Sequence, residues 1–149
     1  MTAHPIRPTA RAATTPGAPS AWLRWLALLA LSAPYLQGGL VKAADFGAAI
    51  AEMQHFGLAP AAPLAAAVIV LELGAAALML SGRLRWLGAL ALAVFTLLAT
   101  FVANRFWQAP PDARFGQANA FFEHIALAGG LCLVAWEDLR QRRAGRGQA

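Results

Sequence analysis

Four long apolar stretches, separated by short polar segments, dominate the hydropathy pattern of this chain. The stretch from Pro63 to Ser81 carries one charged residue, Glu72, near its middle. A helix rises about 1.5 Å per residue, so each stretch is long enough to cross a hydrocarbon core of roughly 30 Å. The pattern predicts an all-α integral membrane protein, a bundle of four transmembrane helices at about 22–41, 61–81, 84–107 and 119–136.

A shorter segment between the first two spans has a different pattern. From Ala44 to Phe56, apolar residues recur at helical spacing while polar residues take the other faces. The apolar positions are Phe46, Ile50, Met53 and Phe56. This pattern is typical of a short amphipathic helix lying at the membrane interface, and we expect it to cover the mouth of the bundle.

Both ends of the chain differ from the 21–137 region, which we interpret as the transmembrane domain. Residues 1–20 are rich in Pro, Ala and Thr, which favours a disordered cytoplasmic tail, and residues 138–149 form a basic cytoplasmic tail. A cleaved signal peptide is the alternative, with small residues at Ala30 and Ser32. We expect no cleavage, because Arg24 interrupts the apolar stretch and its apolar character continues beyond Ser32.

Composition supports the membrane assignment and limits the function classes. The 149 residues are 59% hydrophobic and 13% charged, about half the ~25% charged content of soluble domains. The net charge of +5 comes from residues at span ends and in the tails, which argues against nucleic acid and favours the lipid bilayer as partner. The single cysteine, Cys132, rules out an intrachain disulfide.

The distribution of basic residues predicts the orientation. Four spans place both termini and the central turn on one side, which holds nine arginines, whereas Lys42, Arg105 and Arg114 lie on the other. Because cytoplasmic segments carry the excess of Lys and Arg, both termini are predicted to be cytoplasmic.

Polar residues inside the spans gather in the half of the bundle away from the termini. They define a candidate ligand or proton site made of Glu72, Lys42, Gln37, Thr100, Asn104, Arg105, Asn119, Glu123 and His124. Spacings of four residues predict one polar stripe on the third span, with Thr96 included, and another on the fourth. The alternatives are threonines bonded to their own helix and residues that simply meet headgroups or solvent. The scattered histidines give no metal-binding pattern.

Glu72 is the polar residue hardest to explain as structural. A carboxylate at mid-depth is costly, so it must be protonated or paired. The candidate cations lie roughly two turns or more away along the bundle axis. We therefore expect a neutral Glu72 hydrogen-bonded within the bundle, with Thr96 as its partner, rather than a direct ion pair.

Several short motifs, in order and at their spacing, resemble the DoxX family of small bacterial membrane proteins. They are Gly38-Gly39-Leu40-Val41-Lys42, Glu72-Leu73-Gly74, Leu80-Ser81-Gly82, Asn104-Arg105-Phe106-Trp107, Asn119-Ala120-Phe121-Phe122 and Ala126-Leu127-Ala128-Gly129-Gly130-Leu131. The resemblance implies a four-helix bundle in the bacterial cytoplasmic (inner) membrane, crossing it several times. It also implies a loose association with redox chemistry, because the family is named after a subunit of a thiosulfate:quinone oxidoreductase.

This chain departs from the family pattern at two places. Members often have His where Asn104 stands, and Lys-Asn where Glu123 and His124 stand. If those positions carry chemistry, the chemistry of this protein differs or is absent.

The sequence therefore favours a redox-associated membrane protein that binds a quinone or small aromatic ligand, on its own or as a subunit of a larger oxidoreductase complex. No cofactor motif is found in the chain, and the sequence leaves open whether the protein is an enzyme and whether it forms an oligomer. The alternatives are a non-enzymatic membrane subunit or scaffold with a membrane or redox protein partner, and, with less support, a small transporter.

Overall fold

The computed structural model describes residues 21–147, and within that range all regular secondary structure is helical. The five helices are α1 (Ala21–Ala44), α2 (Phe46–His55), α3 (Ala61–Ser81), α4 (Arg85–Ala103) and α5 (Pro111–Arg146). The tail predicted at residues 1–20 lies outside the described residues.

Four of these helices, α1, α3, α4 and α5, are long and apolar enough to cross a membrane. Large apolar side chains cover their outer faces; Val70, Leu98 and Leu133 are each more than 60% exposed. A surface of this kind is stable only against lipid. The predicted all-α architecture with four spans is therefore confirmed.

The helices pack in the order α1, α3, α4, α5, and α1 touches α5 only sparsely. The core contains few large side chains, chiefly Met79, Leu92 and Leu131, and many alanines. Small residues let transmembrane helices approach closely, which is how association proceeds where lipid supplies no hydrophobic driving force. We call the end of the bundle that carries α2 the α2 end, and the opposite end the terminal end.

Helix α2 begins after Asp45, whose carboxylate accepts a hydrogen bond of 2.9 Å from the Ala48 amide. It packs Ala49 and Met53 against Ala65 at the start of α3. Phe46, expected on the apolar face, is 42% exposed. The α2 segment is thus a short helix with one buried face, as predicted, but that face is narrower than the sequence pattern suggested.

Helix α5 starts earlier than its predicted span and ends later. Pro110 and Pro111 favour the backbone angles of its first turn, and the Asp112 carboxylate interacts favourably with the positive end of the helix dipole. Most of the segment between the third and fourth predicted spans is therefore helical. With 36 residues it is about 54 Å long, well beyond a ~30 Å hydrocarbon core. Helix α4 ends at Ala103, before the predicted Trp107.

At the terminal end, a buried carboxylate joins α5 to the turn between α3 and α4. Asp138 is 5% exposed, accepts 2.7 Å and 3.3 Å hydrogen bonds from Arg142 and the Trp86 amide, and lies 3.8 Å from Arg85. Arg142 also donates to the carbonyls of Gly82 and Arg83. This network closes the terminal end of the bundle.

The α3–α4 interface makes a sharp stability prediction at Gly88. A Cβ there would lie 2.8 Å from the Met79 backbone nitrogen, whereas a Cβ at Gly129 would meet nothing within 4 Å. We expect Gly88→Ala to destabilise the protein by about 1–3 kcal/mol, because backbone must move to make room. Gly129→Ala is the matched control, with no loss expected. Thermal unfolding in detergent measures both, and equal melting temperatures would contradict this packing.

The orientation remains a prediction with its own test. A cytoplasm-dependent reporter fused after Ala149 should be active, and one fused in the 56–60 loop should be inactive, because the arginines flank the terminal end. The reverse result would invert the topology.

Candidate functional site

The α2 end of the bundle contains a cavity of about 510 Å³, lined by residues from all five helices. Most of its wall is apolar, including Val68, Phe95 and Leu127. Its polar lining comes from a few side chains: Tyr35, Gln37, Lys42, Glu52, Glu72, Thr96, Asn104 and His124. Apolar cavities with a few polar groups in their walls are typical of small-molecule binding sites.

A buried ion pair between α1 and α3 is the strongest electrostatic feature of the cavity. The Lys42 ammonium donates to both carboxylate oxygens of Glu72, at 3.3 Å and 3.4 Å. Only 7% of the Glu72 side chain and 17% of the Lys42 side chain are exposed. In this low-dielectric setting each charge stabilises the other, and either one alone would be costly.

The expectation that Glu72 would bond to Thr96 rather than contact a cation directly was therefore wrong. Side chains in a helix lean towards its N-terminus. On α1 this carries the Lys42 ammonium from the α2 end into the bundle, and on the antiparallel α3 it carries the Glu72 carboxylate towards the α2 end. These opposite tilts bring the two charged groups together. The distance between the backbone positions of Lys42 and Glu72 along the bundle axis had suggested that they could not meet.

Two glycines lie where α1 approaches α3 beside the pair, and only at Gly39 would a side chain crowd its neighbour. A Cβ at Gly38 would lie 3.4 Å from the Lys42 Nζ and 3.5 Å from the Glu72 carboxylate. A Cβ at Gly39 would lie 2.8 Å from the Leu73 side chain, so glycine is what allows α1 to approach α3 here.

Helix α2 adds a second carboxylate next to the pair. Glu52 lies 3.9 Å from Lys42, and its side chain is 44% exposed. Lys42 therefore stands between a buried carboxylate and one that faces outward. With all three groups ionised, this part of the cavity carries a charge of −1.

Tyr35 and Thr96 mark the end of the cavity nearest the middle of the bundle. Their hydroxyl groups are hydrogen-bonded across the gap between α1 and α4, and Thr96 also donates to the Leu92 carbonyl at 2.7 Å. Sequence reasoning missed Tyr35. The available signal was that it is the only tyrosine of the chain and lies inside a span.

His124 contributes an imidazole from α5. Its Nδ1 lies 2.6 Å from the Ala120 carbonyl oxygen, which can only accept, so Nδ1 carries the proton. In the neutral ring, Nε2 is then left with a lone pair able to accept a hydrogen bond.

The structure brings five of the nine sequence-predicted site residues to the cavity wall: Gln37, Lys42, Glu72, Asn104 and His124. Thr100 is fully buried in the helix packing, where its hydroxyl accepts from the Asn104 amide at 3.2 Å. Arg105 lines a separate recess of about 310 Å³.

The polar stripe predicted on the fourth span is corrected. Asn119 and Glu123 are exposed and do not line the cavity. At about 100° per residue, Glu123 lies roughly 70° and Asn119 roughly 110° from the midpoint of His124 and Leu127, so both stand beside the face that lines the cavity.

A family model supplies the comparison with known proteins. The DoxX model matches residues 14–105, which is more than half of the chain. The chain belongs to the DoxX family. The matched region contains Lys42, Glu72, Tyr35 and Thr96, whereas His124 lies beyond it. No curated protein and no solved structure matches the chain.

The ion pair predicts a non-additive pattern of stabilities. Lys42→Met leaves the Glu72 carboxylate buried without the cation that it contacts, and should cost about 3–5 kcal/mol. Lys42→Met with Glu72→Leu removes both charges and should restore most of that loss. Thermal unfolding in detergent gives all values. Glu52→Gln is the control, with a small effect because Glu52 is partly exposed. Additive losses in the double variant would contradict the pairing.

Proposed function

We propose that this DoxX protein binds a quinone, or a small aromatic molecule of similar shape, in the cavity at the α2 end, and that it serves membrane redox chemistry. The observation that carries the proposal is the cavity itself. Its volume of about 510 Å³ lies within the range of about 300–1,000 Å³ common for small-molecule sites. Apolar walls suit a flat ring, and the polar groups suit its oxygens.

The polar groups support this ligand class by their chemistry. The Lys42 ammonium can donate to a ring carbonyl oxygen, and the lone pair of His124 Nε2 can accept from a ring hydroxyl. Glu72 can hold a proton next to the ligand, at the expense of its contact with Lys42. A quinone supplies two-electron redox chemistry when it is bound, and a redox protein partner would exchange the electrons.

The proposal assigns the protein to the bacterial inner membrane, where quinones are dissolved. It includes membership of a larger oxidoreductase complex as the way in which the electrons reach the cavity.

A second candidate function is a non-enzymatic subunit, favoured by the length of α5. Beyond Trp136 the helix continues for ten residues, about 15 Å, and exposes Arg140, Arg143 and Arg146. A rigid basic extension of this kind suits contact with a protein partner. Stoichiometric co-purification of a partner, together with an empty cavity in all binding assays, would favour this function over the first.

Binding of menadione, a naphthoquinone without a tail, tests the first proposal. The protein is studied in nanodiscs with Cys132→Ser, because menadione can react with the exposed thiol. Ala99→Phe places a ring in the cavity from α4, and Val94→Phe places the same ring on the exposed face of that helix. We expect binding by the parent and by Val94→Phe, and an affinity at least about tenfold lower for Ala99→Phe.

Isothermal titration calorimetry measures the three affinities. No binding by the parent, or equal binding by all three proteins, would refute the cavity as a quinone site.

A further inference from the structure

We propose that the cavity is entered sideways from the bilayer, through a gap between α1 and α5, by a neutral-headed amphiphile whose hydrocarbon tail stays among the lipids. We call this gap the seam. It is flanked by Pro34 and Gln37 on α1 and by His124 and Leu127 on α5. This inference rests on the proposed function and specifies its ligand: a hydrogen-bonding ring that carries a long tail.

Packing leaves the seam open. Helix α1 meets α5 on the terminal side of the cavity, where Arg24 donates to Gln141 at 3.4 Å and Leu31 packs beside Gly130. One to two turns further towards the α2 end, both helices line the cavity instead of each other. Between residues 21 and 147 the backbones of α1 and α4 do not touch either, and the Tyr35 side chain bridges them at the cavity.

Exposed residues of the cavity wall show where the space reaches the outside. Pro34 and Gln37 line the cavity and are exposed, as is Leu98 on α4, at 64%. Gln37 lies about 10 Å before the end of α1, so this opening faces the hydrocarbon region rather than water.

The direct route from water is covered at the same time. Helix α2 places Glu52, Met53 and Phe56 over the α2 end of the cavity, and Met53 is 6% exposed. A ligand dissolved in the bilayer therefore meets an open side, whereas a ligand dissolved in water meets α2, beside which only the edge at Glu52 and Ala103 is exposed in the cavity wall at this end.

Gln37 marks the edge of the seam as a polar contact. Within the described part of the chain its side-chain amide makes no hydrogen bond, although it is exposed at hydrocarbon depth. An amide without a partner is unfavourable in hydrocarbon. A ligand with an oxygen at the edge of the cavity would satisfy it.

Charge selects against anionic lipids as occupants. The head would lie near Lys42, Glu52 and Glu72, which together carry −1 when ionised. A phosphate head would be repelled there, and a neutral ring would not. We therefore favour a tailed neutral ring over a phospholipid.

Three molecules distinguish the contribution of the ring to binding from that of the tail. Menadione is the ring alone, phytol is the tail alone, and phylloquinone joins the same ring to that tail. Each tailed molecule is built into nanodiscs that hold the Cys132→Ser protein, and the displacement of bound menadione is measured. We expect phylloquinone to displace menadione, and phytol and phosphatidic acid to leave it bound.

Two variants locate the route. Gln37→Leu removes the amide at the edge of the seam and should weaken phylloquinone about tenfold. Leu40→Gln moves an amide to an exposed position of α1 that does not line the cavity, and should change nothing.

If phylloquinone fails to displace bound menadione, the cavity is closed to the bilayer and this inference is wrong while the quinone site stands. Displacement by phytol or phosphatidic acid would show that the head is not selected, which also overturns it. An unchanged affinity in Gln37→Leu would remove Gln37 from the route. If menadione does not bind at all, the proposed function itself has failed.

Discussion

A charge buried at hydrocarbon depth needs a partner, and in this protein that requirement governs the geometry of half the bundle. Glu72 obtains its partner from the end of α1, which forces α1 and α3 together along Gly38 and Gly39. At this end α1 packs against α3 and stands at a distance from α4 and α5 on its other side. The cavity at the α2 end occupies the space that results.

The two ends of the bundle consequently differ in construction. The terminal end is filled by alanines and by Met79, Leu92 and Leu131, and Asp138 ties α5 to the turn between α3 and α4. The α2 end is held by one ion pair and a short amphipathic helix. Dense packing with satisfied polar groups gives rigidity, whereas a sparsely packed region retains local freedom. A stable scaffold thus supports a site that can admit a ligand.

The sequence was sufficient for the spans because hydropathy over about 20 residues is a local property, and it was sufficient for α2 because amphipathicity is local too. The contact between Lys42 and Glu72 is not local. It depends on the direction in which side chains lean and on the close approach allowed by Gly39, neither of which hydropathy records. The sequence also did not reveal which face of α5 turns towards the cavity. Glu123 is exposed, whereas its neighbour His124 lines the cavity.

Other parts of the site were beyond sequence reasoning for a different reason. Tyr35 and Thr96 find each other across two helices that are not adjacent in the packing order. Asp138 is buried only because Arg142 and the Trp86 amide happen to face it. Such contacts depend on how the helices are arranged in the bundle. The amino-acid sequence alone does not indicate which polar side chains will meet.

The apolar core on the terminal side of the cavity determines on which side of the membrane a proton from the cavity can reach water. On the terminal side of the Tyr35–Thr96 hydrogen bond, the described core is a plug of Leu28, Met79, Leu92 and Leu131, with no exposed charge to carry a proton across. On the other side, Lys42 connects buried Glu72 with half-exposed Glu52. A proton released by a ligand in this cavity would therefore reach water on the α2 side alone. Under the proposed function, the protons of a quinol oxidised there would be released on one side of the membrane only, the side that α2 occupies.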